Sequence, residues 1–89
     1  MDDAHAQQVL QYIGANVSRL RRERGLTQEK LAEAAGIETN YVQMIEYVKT
    51  NPSVKVLVNL ADALGVEAKA LLEPAEMQKG KRGRPPKKP

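Results

Sequence analysis

The chain has no cysteine, no phenylalanine and no tryptophan, and its only aromatic residues are three tyrosines. The lack of cysteine excludes disulfides and thiolate zinc sites. Without Phe or Trp, any core must be built from Leu, Val, Ile and Ala, a set that suits a compact helical bundle. One histidine, His5, and two serines, Ser18 and Ser53, leave little for nucleophilic catalysis. There is no paired set of catalytic groups and no glycine loop that would cradle a phosphate. No apolar run approaches the ~20 residues that span a bilayer, and Met1-Asp2-Asp3 lacks the basic start of a signal peptide. These absences predict a non-enzymatic cytoplasmic protein that needs neither cofactor nor metal and makes no use of a membrane. At 89 residues it has room for one small domain.

Charge is divided unevenly along the chain. Residues 79–89 carry six basic side chains and no acid, so the other eight basic residues share positions 1–78 with all eleven acids. The body is therefore mildly acidic and the arm strongly basic. Such an arm is an electrostatic footprint for nucleic acid, although anionic membranes and acidic proteins attract it too.

Apolar spacing predicts five helices. Leu10, Ile13, Val17 and Leu20 recur at intervals of three and four, giving one stripe on a helix from about Ala6 to Arg24. Arg19, Arg21, Arg22 and Arg24 crowd its negative end, and Gly25 stops it. Apart from Arg21, this cluster reads as a solvated helix end, and His5 as part of a frayed terminus. Thr27 caps a short helix, Gln28 to Ala35, though Lys30 stands where a full capping box has Glu or Gln. A third helix runs from about Thr39 to Tyr47, with Val42 and Ile45 on one side. After the Asn51-Pro52 turn, Ser53 caps a fourth helix patterned by Leu57, Leu60, Ala61 and Leu64. Gly65 ends it, and a brief fifth helix, about Glu67 to Leu72, stops before Pro74. Lys79 to Pro89 contains no apolar side chain and is expected to be disordered when free. The predicted organisation is a helical domain over 6–73, a linker over 74–80 and a basic tail over 81–88.

The arrangement that carries function is helix, tight glycine turn, helix. Two short helices that cross steeply need a small residue where they touch and a left-handed residue at the corner; Ala32 and Gly36 supply them. Leu31, Ile37, Val42 and Ile45 take the buried positions. Thr39, Asn40, Gln43 and Met44 are left on the opposite, exposed side of the second helix.

From Ile13 to Glu73 the chain resembles the phage-repressor/Cro (XRE) family of helix-turn-helix DNA-binding domains. The matching residues are Leu20-Arg21, Gly25-Leu26-Thr27-Gln28, Leu31-Ala32, Gly36-Ile37, Ile45-Glu46, Asn51-Pro52-Ser53, Leu60-Ala61 and Ala63-Leu64-Gly65-Val66. The resemblance implies an all-α, five-helix bundle of the lambda-repressor-like type whose third helix enters the major groove of double-stranded DNA, usually from a homodimer on a palindromic site. It implies that Thr39, Asn40, Gln43 and Met44 face the bases. Asn and Gln suit adenine, and the methyls of Thr39 and Met44 suit a thymine methyl. It implies that Gln28, Lys49, Thr50 and Asn51 grip phosphate, with Tyr41 either joining them through its hydroxyl or packing against the second helix. Arg21 and Glu46 match a structural ion pair of the family. Leu71 and Leu72 are core residues, or a dimer contact as the family's fifth helix often provides. Glu29 and Glu33 form a solvated face, or, as in some family members, a contact for RNA polymerase. Two departures stand out. Tyr47-Val48 replaces the usual Arg-Gly, which alters the expected end of the recognition helix, and Glu38 replaces a small capping hydroxyl.

The tail Lys81-Arg82-Gly83-Arg84-Pro85-Pro86-Lys87-Lys88 resembles an AT-hook in its Arg-Gly-Arg-Pro core. Glycine lets such a backbone lie deep in a narrow minor groove, arginines enter its negative potential, and proline keeps the path extended. Fully extended, the stretch from Glu73 to Arg82 reaches ~30 Å at ~3.3 Å per residue. The alternative is an unspecific tail that only neutralises phosphates. For the whole chain the leading expectation is a transcriptional regulator such as a repressor, active at the nucleoid. An architectural protein of A·T-rich DNA and an antitoxin-type regulator with a protein partner are the alternatives.

Overall fold

The computed structural model describes residues 3–76. Four α-helices are followed by a 3-10 helix: α1 (Ala4–Glu23), α2 (Gln28–Ala35), α3 (Thr39–Glu46), α4 (Val54–Leu64) and the 3-10 helix Ala68–Leu72. No strand occurs among the described residues. The basic tail, with Lys81, Arg82, Gly83, Arg84, Pro85, Lys87 and Lys88, lies outside the described residues, as does the later part of the 74–80 linker.

Each helix contributes to one core. Val17 of α1, Leu31 of α2, Val42 of α3, Leu60 of α4 and Leu71 of the 3-10 helix are all fully buried. α1 packs against α3 and the 3-10 helix, while α2 packs against α3 and α4. Local chemistry explains where the shorter helices begin. Thr27 Oγ1 accepts from the Lys30 amide at 3.0 Å and Ser53 Oγ accepts from the Val56 amide at 3.2 Å. Each such cap stabilises its helix by about 1 kcal/mol.

The structure departs from the expected elements in three places. α1 starts at Ala4, so His5 is an exposed residue of its first turn and not part of a frayed end. The fifth element is a 3-10 helix between extended Glu67 and Glu73. Five residues ahead of a proline are too few for a stable α-helix, and 3-10 geometry is common in pieces of this size. Third, the arginines at the end of α1 are not simply solvated. Arg24 Nε donates to the Leu64 carbonyl at the C-terminus of α4, and Arg19 Nη2 donates to Asn16 Oδ1 at 3.2 Å.

Asn16 was not singled out by sequence reasoning and has a central place. It is 2% exposed, and its Nδ2 donates to the carbonyls of Leu71 at 3.0 Å and Glu73 at 2.9 Å. A buried amide on α1 thus satisfies two acceptors at the end of the 3-10 helix and seats Leu71 in the core. That corrects the reading of Leu71 as a dimer contact, because a side chain with no exposed surface cannot meet a second molecule. Leu72, at 44%, is exposed.

Gly14 is the second such residue. A β-carbon there would lie 2.8 Å from the Ile45 carbonyl oxygen, 3.1 Å from that of Glu46 and 3.3 Å from Val48 Cγ2. The backbone of α1 therefore approaches the end of α3 as closely as it does only because position 14 has no side chain.

Replacing Asn16 with Ala should destabilise the domain by about 1–3 kcal/mol, since buried carbonyls lose their donor. Urea denaturation of the two proteins measures this, and a loss under about 0.5 kcal/mol would show that the clamp on the 3-10 helix is dispensable.

Candidate nucleic-acid interface

The corner between α2 and α3 is made by Gly36, which is left-handed at φ 73 and ψ 31. Its amide donates to Glu33 O at 3.2 Å and the Ile37 amide donates to Ala32 O at 3.0 Å, satisfying the last carbonyls of α2. Ala32 is buried in the core that the two helices share. With Val42 and Ile45 turned into the core, α3 presents its opposite side outward. Asn40 is exposed there, and Thr39, Gln43 and Met44 are half-buried. The four form two i, i+4 pairs and so share one helix face. Asn40 Nδ2 approaches Met44 Sδ at 3.4 Å. A thioether is a weak acceptor, so this holds the amide only loosely.

The direction of α3 is fixed by its last residue. Glu46 accepts from Arg21 of α1 through two contacts, Nε to Oε2 at 2.7 Å and Nη2 to Oε1 at 3.2 Å. The side chains are 12% and 4% exposed, so the pair is nearly dry. Arg21 Nη1 also donates to the Leu26 carbonyl at 2.8 Å. Gln28, expected on phosphate, has its Nε2 on Glu46 Oε1 at 3.0 Å. Its amide is therefore part of the same tie, with its second hydrogen and its own oxygen not used by that bond. One carboxylate thus joins the end of α1, the loop after it, the start of α2 and the end of α3.

Neither end of α3 is finished by ordinary local chemistry. Glu38 occupies the N-cap with extended backbone and makes no side-chain cap bond. At the other end Tyr47 is the C-cap, and Val48 adopts φ 60, the left-handed region. The Val48 amide donates to Ile45 O at 3.1 Å and the Lys49 amide to Met44 O at 2.7 Å, the bond pattern of a Schellman turn. The turn that glycine would normally make is kept, with a β-branched residue in glycine's conformation. Such a residue costs about 1–3 kcal/mol and persists only where its surroundings impose it.

Beyond the turn, Lys49 and Asn51 are exposed, Thr50 is half-buried and Pro52 is buried. Tyr47 is 62% exposed beside them. Tyr41 is half-buried and packs against the core cluster. Glu29 and Glu33 are exposed on α2; the contact of Glu33 with Lys30, at 4.0 Å, is an open surface pair worth little. Among the described residues no acidic or histidine cluster is arranged to hold a metal, and no helix is long and apolar enough to cross a membrane.

Comparison with known proteins agrees with this geometry. The sequence profile of a helix-turn-helix family matches residues 17–71. The uncharacterized HTH-type transcriptional regulator y4dJ of Sinorhizobium fredii is 42% identical over 64 residues, covering 72% of this chain and 83% of that protein. The immunity repressor of Bacillus phage phi105 is 38% identical over 60 residues, which cover 67% of this chain but only 42% of the repressor. Among solved structures, the biofilm regulator SinR in complex with DNA superposes with a TM-score of 0.65 at 35% identity, covering 68% of this chain and 98% of that one.

Replacing Glu46 with Ala strands the Arg21 charge in a nearly dry site and should cost about 3 kcal/mol, the low end for a buried pair because the Leu26 carbonyl stays with Arg21. The double replacement Arg21→Ala with Glu46→Ala should cost clearly less than the two single losses added together, as measured by chemical denaturation.

Proposed function

The chain belongs to the helix-turn-helix family of DNA-binding transcription regulators, and on that premise we propose that it reads a specific operator by laying α3 in the major groove. The observation that carries this reading is the two-sidedness of α3. Val42 and Ile45 are committed to the core, and Thr39, Asn40, Gln43 and Met44 share the side left outward. In the reading proposed, Asn40 and Gln43 bond adenine edges while Thr39 and Met44 touch thymine methyls. Gln28, Lys49, Thr50 and Asn51 bond phosphates and hold the register, as contacts to the backbone do in this mode of recognition. Tyr41 contributes at most its hydroxyl.

The regulator acts as a homodimer on a palindromic operator, each protomer placing one α3 in successive major grooves. Leu72, together with the exposed Val54 and Val58 of α4, supplies apolar surface for that association. The basic tail over 81–88 follows the adjacent minor groove, favouring A·T-rich flanks. Because residues 1–78 carry more acids than bases, this arm supplies much of the affinity that does not depend on sequence.

Selection of bound duplexes from a random pool, with full-length and tail-deleted protein side by side, tests the reading. A single symmetric motif with A·T-rich flanks is expected; many unrelated sites of equal affinity would instead mark an architectural protein. Asn40→Ala or Gln43→Ala should relax base preference by about 1–3 kcal/mol at the contacted position. Deleting residues 79–89 should leave the motif in place and flatten the log–log salt dependence by about 0.9 for every phosphate the tail neutralises. An unchanged slope would remove the tail from the account.

A further inference from the structure

We propose that Val48 is a positioning residue for the phosphate-gripping segment: strained into the turn that ends α3 and seated over Gly14, it sets the path of Lys49, Thr50 and Asn51 before DNA arrives. This rests on the reading of that segment as a phosphate contact and adds to it the device that orients it.

Three observations converge. Val48 holds φ 60, a conformation that glycine adopts freely and a β-branched side chain resists. Left to its own preference, Val48 would be extended, and the Lys49 amide would then leave the Met44 carbonyl that it meets at 2.7 Å. Local sequence therefore does not choose this turn. The second observation is what does choose it. Val48 Cγ2 lies 3.3 Å from where a Gly14 β-carbon would stand, so its methyl occupies the space which that absence opens on α1. The third is the company Gly14 keeps. It lies on the helix that also carries Arg21, whose guanidinium fixes Glu46 two residues before Val48. The recognition helix and the segment after it are thus both referred to α1, through one ion pair and one methyl group.

Glycine at position 48 would make the same turn without strain and without the seat on α1. The segment carrying Lys49 would gain freedom, and that freedom would have to be given up on binding. A purely structural residue lowers stability and affinity together when it is altered. Here the two should part: Val48→Gly should leave the unfolding midpoint level or raise it, while affinity for the operator selected by the wild-type protein falls.

The test measures thermal unfolding, operator affinity and salt slope for four proteins: wild type, Val48→Gly, Val48→Thr and Lys49→Ala. It adds the double variant Val48→Gly with Lys49→Ala. Val48→Gly is expected to bind about three- to tenfold more weakly, with the salt slope kept because the phosphate contact is still made once the segment is ordered. Val48→Thr keeps the branched shape and should bind like the wild type. The double variant should bind like Lys49→Ala alone, because a positioning residue has no effect once its client is gone. The inference is overturned if Val48→Gly binds as tightly as the wild type, if its affinity falls only alongside its unfolding midpoint, or if the two losses multiply in the double variant. Wild-type protein that enriches no sequence at all would sink the operator reading, and this inference with it. Wild-type binding with an unaffected Val48→Gly would sink this inference alone.

Discussion

A carboxylate almost without access to water decides where α3 lies. Glu46 is 6% exposed, and a charge in that setting is tolerable only if it is met by an opposite charge and by donors for both oxygens. Arg21 supplies the charge and two donors, and Gln28 supplies a third. The guanidinium is a rigid planar fork, so satisfying it restricts angle as well as distance. α1, α2 and α3 are therefore not free to slide along their apolar contacts, which by themselves are tolerant of small shifts. The outward side of α3 inherits its aim from this buried contact.

Most of the architecture was readable from spacing and punctuation. The stripe of Ile13, Val17 and Leu20, the Ala32–Gly36 corner and the caps at Thr27 and Ser53 each express a short-range rule. Such rules are visible in a single sequence, and the helices lie within a residue or two of where they predict. The outward face of α3 was legible for the same reason, as the complement of Val42 and Ile45. What escaped was long-range. Asn16 sits within a run, Ile13 to Ser18, that is wholly buried, and nothing near it in sequence says that its amide answers carbonyls 55 and 57 residues away. Leu71 could not be divided from Leu72 because a five-residue 3-10 helix has no amphipathic period to read. Arg24 looked like one more cation at a helix end, since its acceptor belongs to α4.

The helix that faces outward is also the one least finished by its own sequence. α2 and α4 begin at hydroxyl caps and end at left-handed glycines. α3 begins at Glu38 without a side-chain cap bond and ends at a strained valine. Its C-terminal residue, Glu46, is held instead by Arg21 of α1 and Gln28 of α2. Departures from local consistency tend to gather at functional surfaces, and the two ends of α3 fit the reading proposed for its outward side.

Gly14 illustrates how such an arrangement limits change. In the middle of a 20-residue helix, glycine is the weakest common helix former apart from proline, and exchanging it for alanine ordinarily gains about 1 kcal/mol. That route to a sturdier α1 is closed, since the added carbon would press on the rigid Ile45 carbonyl from 2.8 Å. The gap between the two helices is accordingly gauged by main chain against main chain. Drift in the surrounding aliphatic residues can reshape the interior, but it has no means of retuning that gap.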